Sequence, residues 1–160
     1  MKTSDSLFVL FFAFTIAFFF NEFSFSQTSS KGLDPNKKVT QYIHQAWTTD
    51  DGLPQNSIQS IIQTKDGYLW FGTQEGAVRF DGIKFDYIDK KHYPDLQNNY
   101  ITSIMEDNKG IVWICTNGGG VSTFSQGKLT NINNSASFPE LFVNYVIQDK
   151  EGVYWFATQS

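Results

Sequence analysis

One unit recurs along this chain at a nearly fixed step. Ser57–Thr73 reads SIQSIIQTKDGYLWFGT, Tyr100–Thr116 reads YITSIMEDNKGIVWICT, and Phe142–Thr158 reads FVNYVIQDKEGVYWFAT. In each copy a short apolar run leads to a Gly (Gly67, Gly110, Gly152). A Trp follows three residues later (Trp70, Trp113, Trp155), and a Thr three beyond that (Thr73, Thr116, Thr158). The steps between the Trp residues are 43 and 42 positions. A period in the low forties made of short strands and turns is that of one β-propeller blade. A blade cannot bury both of its faces alone, so the chain must contribute to a stack of blades.

The first blade shows why the unit has four strands. Ile58, Ile61 and Ile62 form an inner run that ends at the Lys65-Asp66-Gly67 turn. Tyr68–Thr73 is aromatic-rich and almost continuously apolar, as suits a strand covered on both faces. Gly76 permits a turn into Ala77–Phe80, and Asp81-Gly82 turns the chain again into Lys84–Ile88. The second blade repeats the plan with strands predicted at Ile101–Glu106, Val112–Cys115, Val121–Phe124 and Lys128–Ile132. The expected fold is all-β, with blades of four antiparallel strands: blade 1 over 56–98, blade 2 over 99–141 and an incomplete blade 3 over 142–160. Residues 41–55 would supply a closing outer strand and an entry loop. A seven-bladed ring at this period needs about 300 residues. The expectation is therefore about two and a half blades of a longer protein, with uncovered strand faces that favour aggregation.

The N-terminus obeys a different rule. Lys2 precedes Leu7–Phe20, an uncharged apolar run of 14 residues, and Ser24 and Ser26 supply a small-x-small pattern. That reads as a signal peptide over 1–26, cut between Ser26 and Gln27, followed by a linker over 27–40. Nine of the 16 Phe precede Gln27, so the aromatic content belongs partly to this segment. The formal net charge of −4 argues against nucleic acid and against anionic membrane surfaces as partners. A single Cys, Cys115, leaves no intramolecular disulfide and is read as a small buried packing residue.

The repeated side chains have packing explanations first. The three Trp fill space between blades, and the Thr at strand ends bond nearby backbone, since no repeat pairs them with a base. His44, in a strand predicted over Gln41–Trp47, and His92, in a loop, have no metal-spaced partners. The Asp-Gly pairs at 51–52, 66–67 and 81–82 are hairpin turns and belong to no calcium-ligand run. No cofactor and no metal is expected.

Trp47-Thr-Thr-Asp-Asp-Gly-Leu-Pro-Gln-Asn56, Asp66-Gly67-Tyr68-Leu69-Trp70-Phe71-Gly72-Thr73 and Gly76-Ala77-Val78-Arg79-Phe80-Asp81-Gly82 together resemble the two-component regulator propeller repeats. The resemblance covers roughly Tyr42–Ser160. It implies an exported, periplasmic sensor region of a bacterial signalling protein, whose parent is an inner-membrane-anchored hybrid histidine kinase and a candidate homodimer. The implied ligand is a small molecule, often an oligosaccharide. The membrane would be reached only through parts absent here, and the kinase motifs are absent too, so this chain is not expected to be an enzyme.

Two other classes stay open on sequence alone. A propeller lyase or glycosidase would need two carboxylates a few ångströms apart, and Glu75, Asp95 and Glu140 are candidate acids on separate loops. A non-catalytic protein-binding scaffold is the other. Loops entering each inner strand and loops joining the second and third strands emerge on one face of a ring. Gln74 and Asn117 hold matching positions there and are the candidate ligand contacts.

Overall fold

The structure is a computed structural model that describes residues 38, 40, 45–133 and 140–159. The chain divides into two units, 1–44 and 45–160. In the first, the described Lys38 and Thr40 are both exposed. The signal-peptide reading, the Ser26/Gln27 cleavage point and His44 lie outside the described residues.

The second unit is all-β apart from one 3₁₀ turn at Thr49–Asp51. Its strands are β1 (Ser60–Gln63), β2 (Leu69–Thr73), β3 (Gly76–Phe80), β4 (Phe85–Ile88), β5 (Ile101–Glu106), β6 (Val112–Thr116), β7 (Gly120–Ser125), β8 (Lys128–Asn131), β9 (Val143–Gln148) and β10 (Tyr154–Thr158). They form two four-stranded antiparallel sheets, β1-β2-β3-β4 and β5-β6-β7-β8, and a two-stranded sheet, β9-β10. The fold is therefore the blade architecture expected from the repeat. Strands start or stop a residue or two from the sequence expectation, β1 at Ser60 and β4 at Phe85, for example. Gln45–Trp47 pair in no ladder, so that part of the strand expected over 41–47 is absent.

The entry motif has a local explanation. Thr48 and Asp51 form a capping box on the 3₁₀ turn, Gly52 closes it at φ 104°, and Asn56 Oδ1 accepts from Thr49 N. The Tyr87 hydroxyl donates to Gly52 O at 2.6 Å, tying the turn to the outer strand of blade 1. Trp47 packs edge-on against Phe80.

The turn between the first and second strands of each blade is the same object three times. Gly67, Gly110 and Gly152 have φ of 92°, 79° and 85°, the left-handed region where a side chain is strained. Each glycine N–H donates back to residue i−3: Thr64, Asp107 or Asp149. The pattern is a type I turn closed by a glycine bulge.

Period-two alternation sorts the second strands. Trp70 and Trp113 face the following blade and Val112 and Tyr154 the preceding one, while Trp155 and Leu69 hold the matching positions on the two outermost sheets. Between blades 1 and 2 the core holds Trp70, Ile88, Leu96, Ile101, Val112 and Phe124. Between blades 2 and 3 it holds Cys115, Val121, Val143 and Val146, with Trp113 and Phe156 packed against it. Gly72 lies where a Cβ would come within 2.8 Å of Ile101 Cγ2, so the first blade needs glycine there. Cys115 is fully buried and its thiol is pushed up to about 12 by burial, as expected of a packing residue.

Candidate functional site

The loop face is built by the β2–β3 and β6–β7 turns with the β4–β5 and β8–β9 connections. Thr73 Oγ1 donates to Gly76 O at 2.8 Å and accepts from Glu75 N. Thr116 Oγ1 repeats this with Gly120 O and Gly119 N. The strand-end threonines therefore bond backbone and shape the turns that present Gln74 and Asn117.

The two candidate contacts sit at matching positions in unequal surroundings. Gln74 is exposed, and only its main chain is anchored, through Gln55 Oε1. Asn117 is half-buried and sewn to its neighbours. Its N–H donates to Tyr100 O, its carbonyl accepts from Asn98 Nδ2, and it bridges to Phe142. The longer second turn, Asn117-Gly-Gly-Gly, explains the difference, because the N–H groups of Gly118 and Gly120 both reach Leu141 O. Other amides crowd the same region: Asn133 Oδ1 accepts from Val121 N, and Asn98 Oδ1 from Tyr100 N.

The inner strands β1, β5 and β9 line a cleft of about 390 Å³ whose walls include Ile62, Gln63, Met105, Glu106, Tyr145 and Gln148. Its polar groups are partly committed. Glu106 Oε2 accepts from Lys65 N and Gln148 Oε1 from Asn108 N, one tie from each blade to the turn of the preceding blade. A cleft of about 230 Å³ lies between His92–Asp95 and Gly127–Leu129. The nearby Asp89 carboxylate is disfavoured by its burial, but hydrogen bonds from the main chain and ring of His92 outweigh this and lower its pKa.

Sequence reasoning missed the most densely bonded polar group of the second interface. Asp107 is buried between blades 2 and 3. Its Oδ1 accepts from Lys109 N and Ile111 N; its Oδ2 accepts from Trp113 Nε1 at 2.9 Å and from the Tyr154 hydroxyl of the next blade at 2.8 Å. Burial works against its charge, but these four donors outweigh burial and hold its pKa below the ordinary value. The Tyr154 hydroxyl is pushed the other way, first by burial and then by its bond to the carboxylate. The signal was present in the alignment of the three copies, where Thr64, Asp107 and Asp149 share one position. Arg79 in β3 is a second missed group. It stacks on Tyr68 at 4.4 Å and pairs with Asp86 at 2.9 Å, and its Nε is buried without a partner.

Chemically, the loop face offers amides and main-chain groups for hydrogen bonding. Glu75 lies in the β2–β3 turn, Asp95 in the β4–β5 connection and Glu140 in the β8–β9 connection, three separate segments. Among the described residues no three His, Cys, Asp or Glu side chains are grouped to hold a metal ion, and no helix is long and apolar enough to cross a membrane.

Residues 52–75 and 95–118 match the two component regulator propeller family. These are two-component regulator propeller repeats. Both matched segments run through the inner hairpin of a blade, and the first begins inside the DGLPQN motif. Over 63 residues, 39% of this chain, the sequence is 40% identical to Histidine kinase P4 of Formosa agariphila, of which that stretch is 4%. Two solved structures share the fold of these repeats, both extracellular domains of proteins described as hybrid two-component systems of B. thetaiotaomicron. One matches with a TM-score of 0.63 and 24% identity, over 71% of this chain and 17% of that one. The other matches with a TM-score of 0.52 and 26% identity, over 64% of this chain and 15% of that one. The chain thus spans a small part of each of these three relatives.

Proposed function

We propose that this chain is the ligand-sensing propeller region of an exported two-component sensor whose parent carries a histidine kinase output. The carrying observation is the pairing of regulator propeller repeats with a fold shared by extracellular domains of hybrid two-component systems. The proposed ligand is a small polar molecule, an oligosaccharide in the first instance, bound on the loop face where Gln74 and Asn117 lie. An exposed side-chain amide, which both donates and accepts, suits hydroxyl-rich ligands. Periplasmic placement, cleavage between Ser26 and Gln27, inner-membrane anchoring of the parent and its dimerisation belong to the same proposal.

The test is titration of the parent's exported region with a panel of oligosaccharides. Gln74→Ala is expected to weaken binding by about fivefold to tenfold, the value of one lost neutral hydrogen bond, with an unchanged melting temperature. Asn117→Ala should also weaken binding, and it should cost some stability only if its side chain helps hold the turn. Unaltered affinity in both variants removes this face as the site. Export is tested separately, by alkaline phosphatase activity of a fusion placed after Ser160. An inactive fusion overturns that part.

A further inference from the structure

Two inter-blade contacts repeat along the chain with different chemistry, and a third set of the same groups stands open. At the first interface the position after the inner strand is Thr64. Its hydroxyl is engaged within its own hairpin, with Asp66 Oδ1 and Tyr68 O. The residue that blade 2 presents beside it is Val112, which lines the same small cleft and carries no donor. At the second interface the position is Asp107, and blade 3 presents Tyr154, whose hydroxyl reaches the carboxylate while its ring lies 4.3 Å from Trp113. Acceptor and donor therefore change together across the interface: threonine meets an aliphatic side chain, aspartate meets a phenol.

Blade 3 carries the aspartate version. Asp149 Oδ1 accepts from Val153 N, and Oδ2 accepts from Trp155 Nε1 at 2.7 Å, repeating the Asp107–Trp113 geometry. Trp155 is 59% exposed, and Tyr145, Ile147 and Val153 are exposed with it. Tyr145 and Ile147 stand opposite Ala157 and Trp155 in the ladder, so these apolar groups share one sheet face. The main-chain N–H of Lys150 matches those of Lys65 and Asn108, which donate to Glu106 and Gln148 of the following blade.

We propose that the open face of β9–β10 docks a further sheet of the same repeat and selects it by two features. The sheet carries a hydroxyl-bearing aromatic, Tyr in this chain's own example, at the residue before its Trp, to stack on Trp155 and donate to Asp149 Oδ2. It carries Glu or Gln at the end of its inner strand to accept from Lys150 N. Continuity with the Trp113–Tyr154 interface supplies the geometry. A second copy of this chain docking by its first sheet satisfies one demand and fails the other, because it brings Gln63 to Lys150 but Leu69 to Asp149.

The test extends the full chain after Gln159 with a duplicate of residues 117–159, which provides outer strands for blade 3 and a new Tyr-bearing hairpin. Exchange of the Trp155 indole N–H is expected to slow on extension. Tyr154→Phe in the duplicate alone should lower the folding equilibrium constant about tenfold, as for a lost hydrogen bond to a charged group, and this loss should vanish in an Asp149→Thr background. Equal stability of the Tyr and Phe extensions overturns the proposal, as does an equal loss in both backgrounds. So does protection of Trp155 in the unextended chain by self-association that Leu69→Tyr leaves unchanged. Should the extended chain fail to fold, the same cycle at the existing interface decides: Asp107→Thr and Tyr154→Phe must be non-additive, and additivity sinks the rule.

Discussion

Two interfaces of this molecule are made from the same repeat, one between two four-stranded sheets and one between a four-stranded sheet and the two-stranded β9–β10 sheet. Between blades 1 and 2, Trp70 is almost wholly buried against Phe124, with ring centroids 5.3 Å apart and Ile101 and Val112 in the same core. Between blades 2 and 3, Trp113 is half-buried beside a two-stranded sheet in which no described residue holds the place of Phe124, and its indole N–H bonds a buried carboxylate that also binds the next blade. Aspartate in place of threonine at the turn adds a charge-assisted network to the second interface, beside its apolar core of Cys115, Val121, Val143 and Val146. The periodic residues set blade geometry, and the aperiodic ones set what each blade will accept as a neighbour.

That contrast can be broken most severely at the apolar interface. Trp70→Ala is expected to cost about 3–5 kcal/mol, the range for removing a buried aromatic side chain, measured as a fall in the urea midpoint. A loss below that of Trp113→Ala would reverse the comparison. At the polar interface, Asp107→Ala strands the Trp113 and Tyr154 donors and two main-chain N–H groups, for a cost of about 2–4 kcal/mol.

Acid should act on the same interface. The folded pKa of Asp107 lies below the unfolded value, so its contribution is complete above about pH 4, the ordinary aspartate pKa, and is lost as pH falls through the folded value. Titrating the stability of Asp107→Asn beside the unsubstituted chain should show the acid-linked loss in the latter and a shallower slope in the former. Parallel slopes would remove the carboxylate from the account. The smallest effect belongs to the open sheet: Trp155→Ser should change stability by less than about 1 kcal/mol while reducing aggregation, as read by light scattering.

The fold was legible because its determinants are periodic. Glycine in the left-handed turn, Trp on the face turned to the next blade and Thr capping the following turn recur at one spacing, and the glycine and the Thr act within their own blade. The candidate site was less legible. Gln74 and Asn117 look equivalent in sequence, but two glycine N–H groups reaching Leu141 O place Asn117 in an inter-blade seam and leave Gln74 in solvent. Asp107 escaped notice because Thr64 replaces it in the first copy, and because its partner Tyr154 is 47 residues away and differs in kind from Val112 and Leu69. Arg79 belongs to a motif legible in sequence, yet its stacking on Tyr68 and its pairing with Asp86 depend on strand register.

The claim that each blade covers the Trp of the one before is tested most directly by labelling the four Trp residues with 5-fluorotryptophan. The ¹⁹F resonances, assigned by single Trp→Phe variants, are compared in H₂O and D₂O. The structure predicts a solvent isotope shift that is largest for Trp155, intermediate for Trp113 and near zero for Trp70. Equal shifts for Trp70 and Trp155 would contradict it.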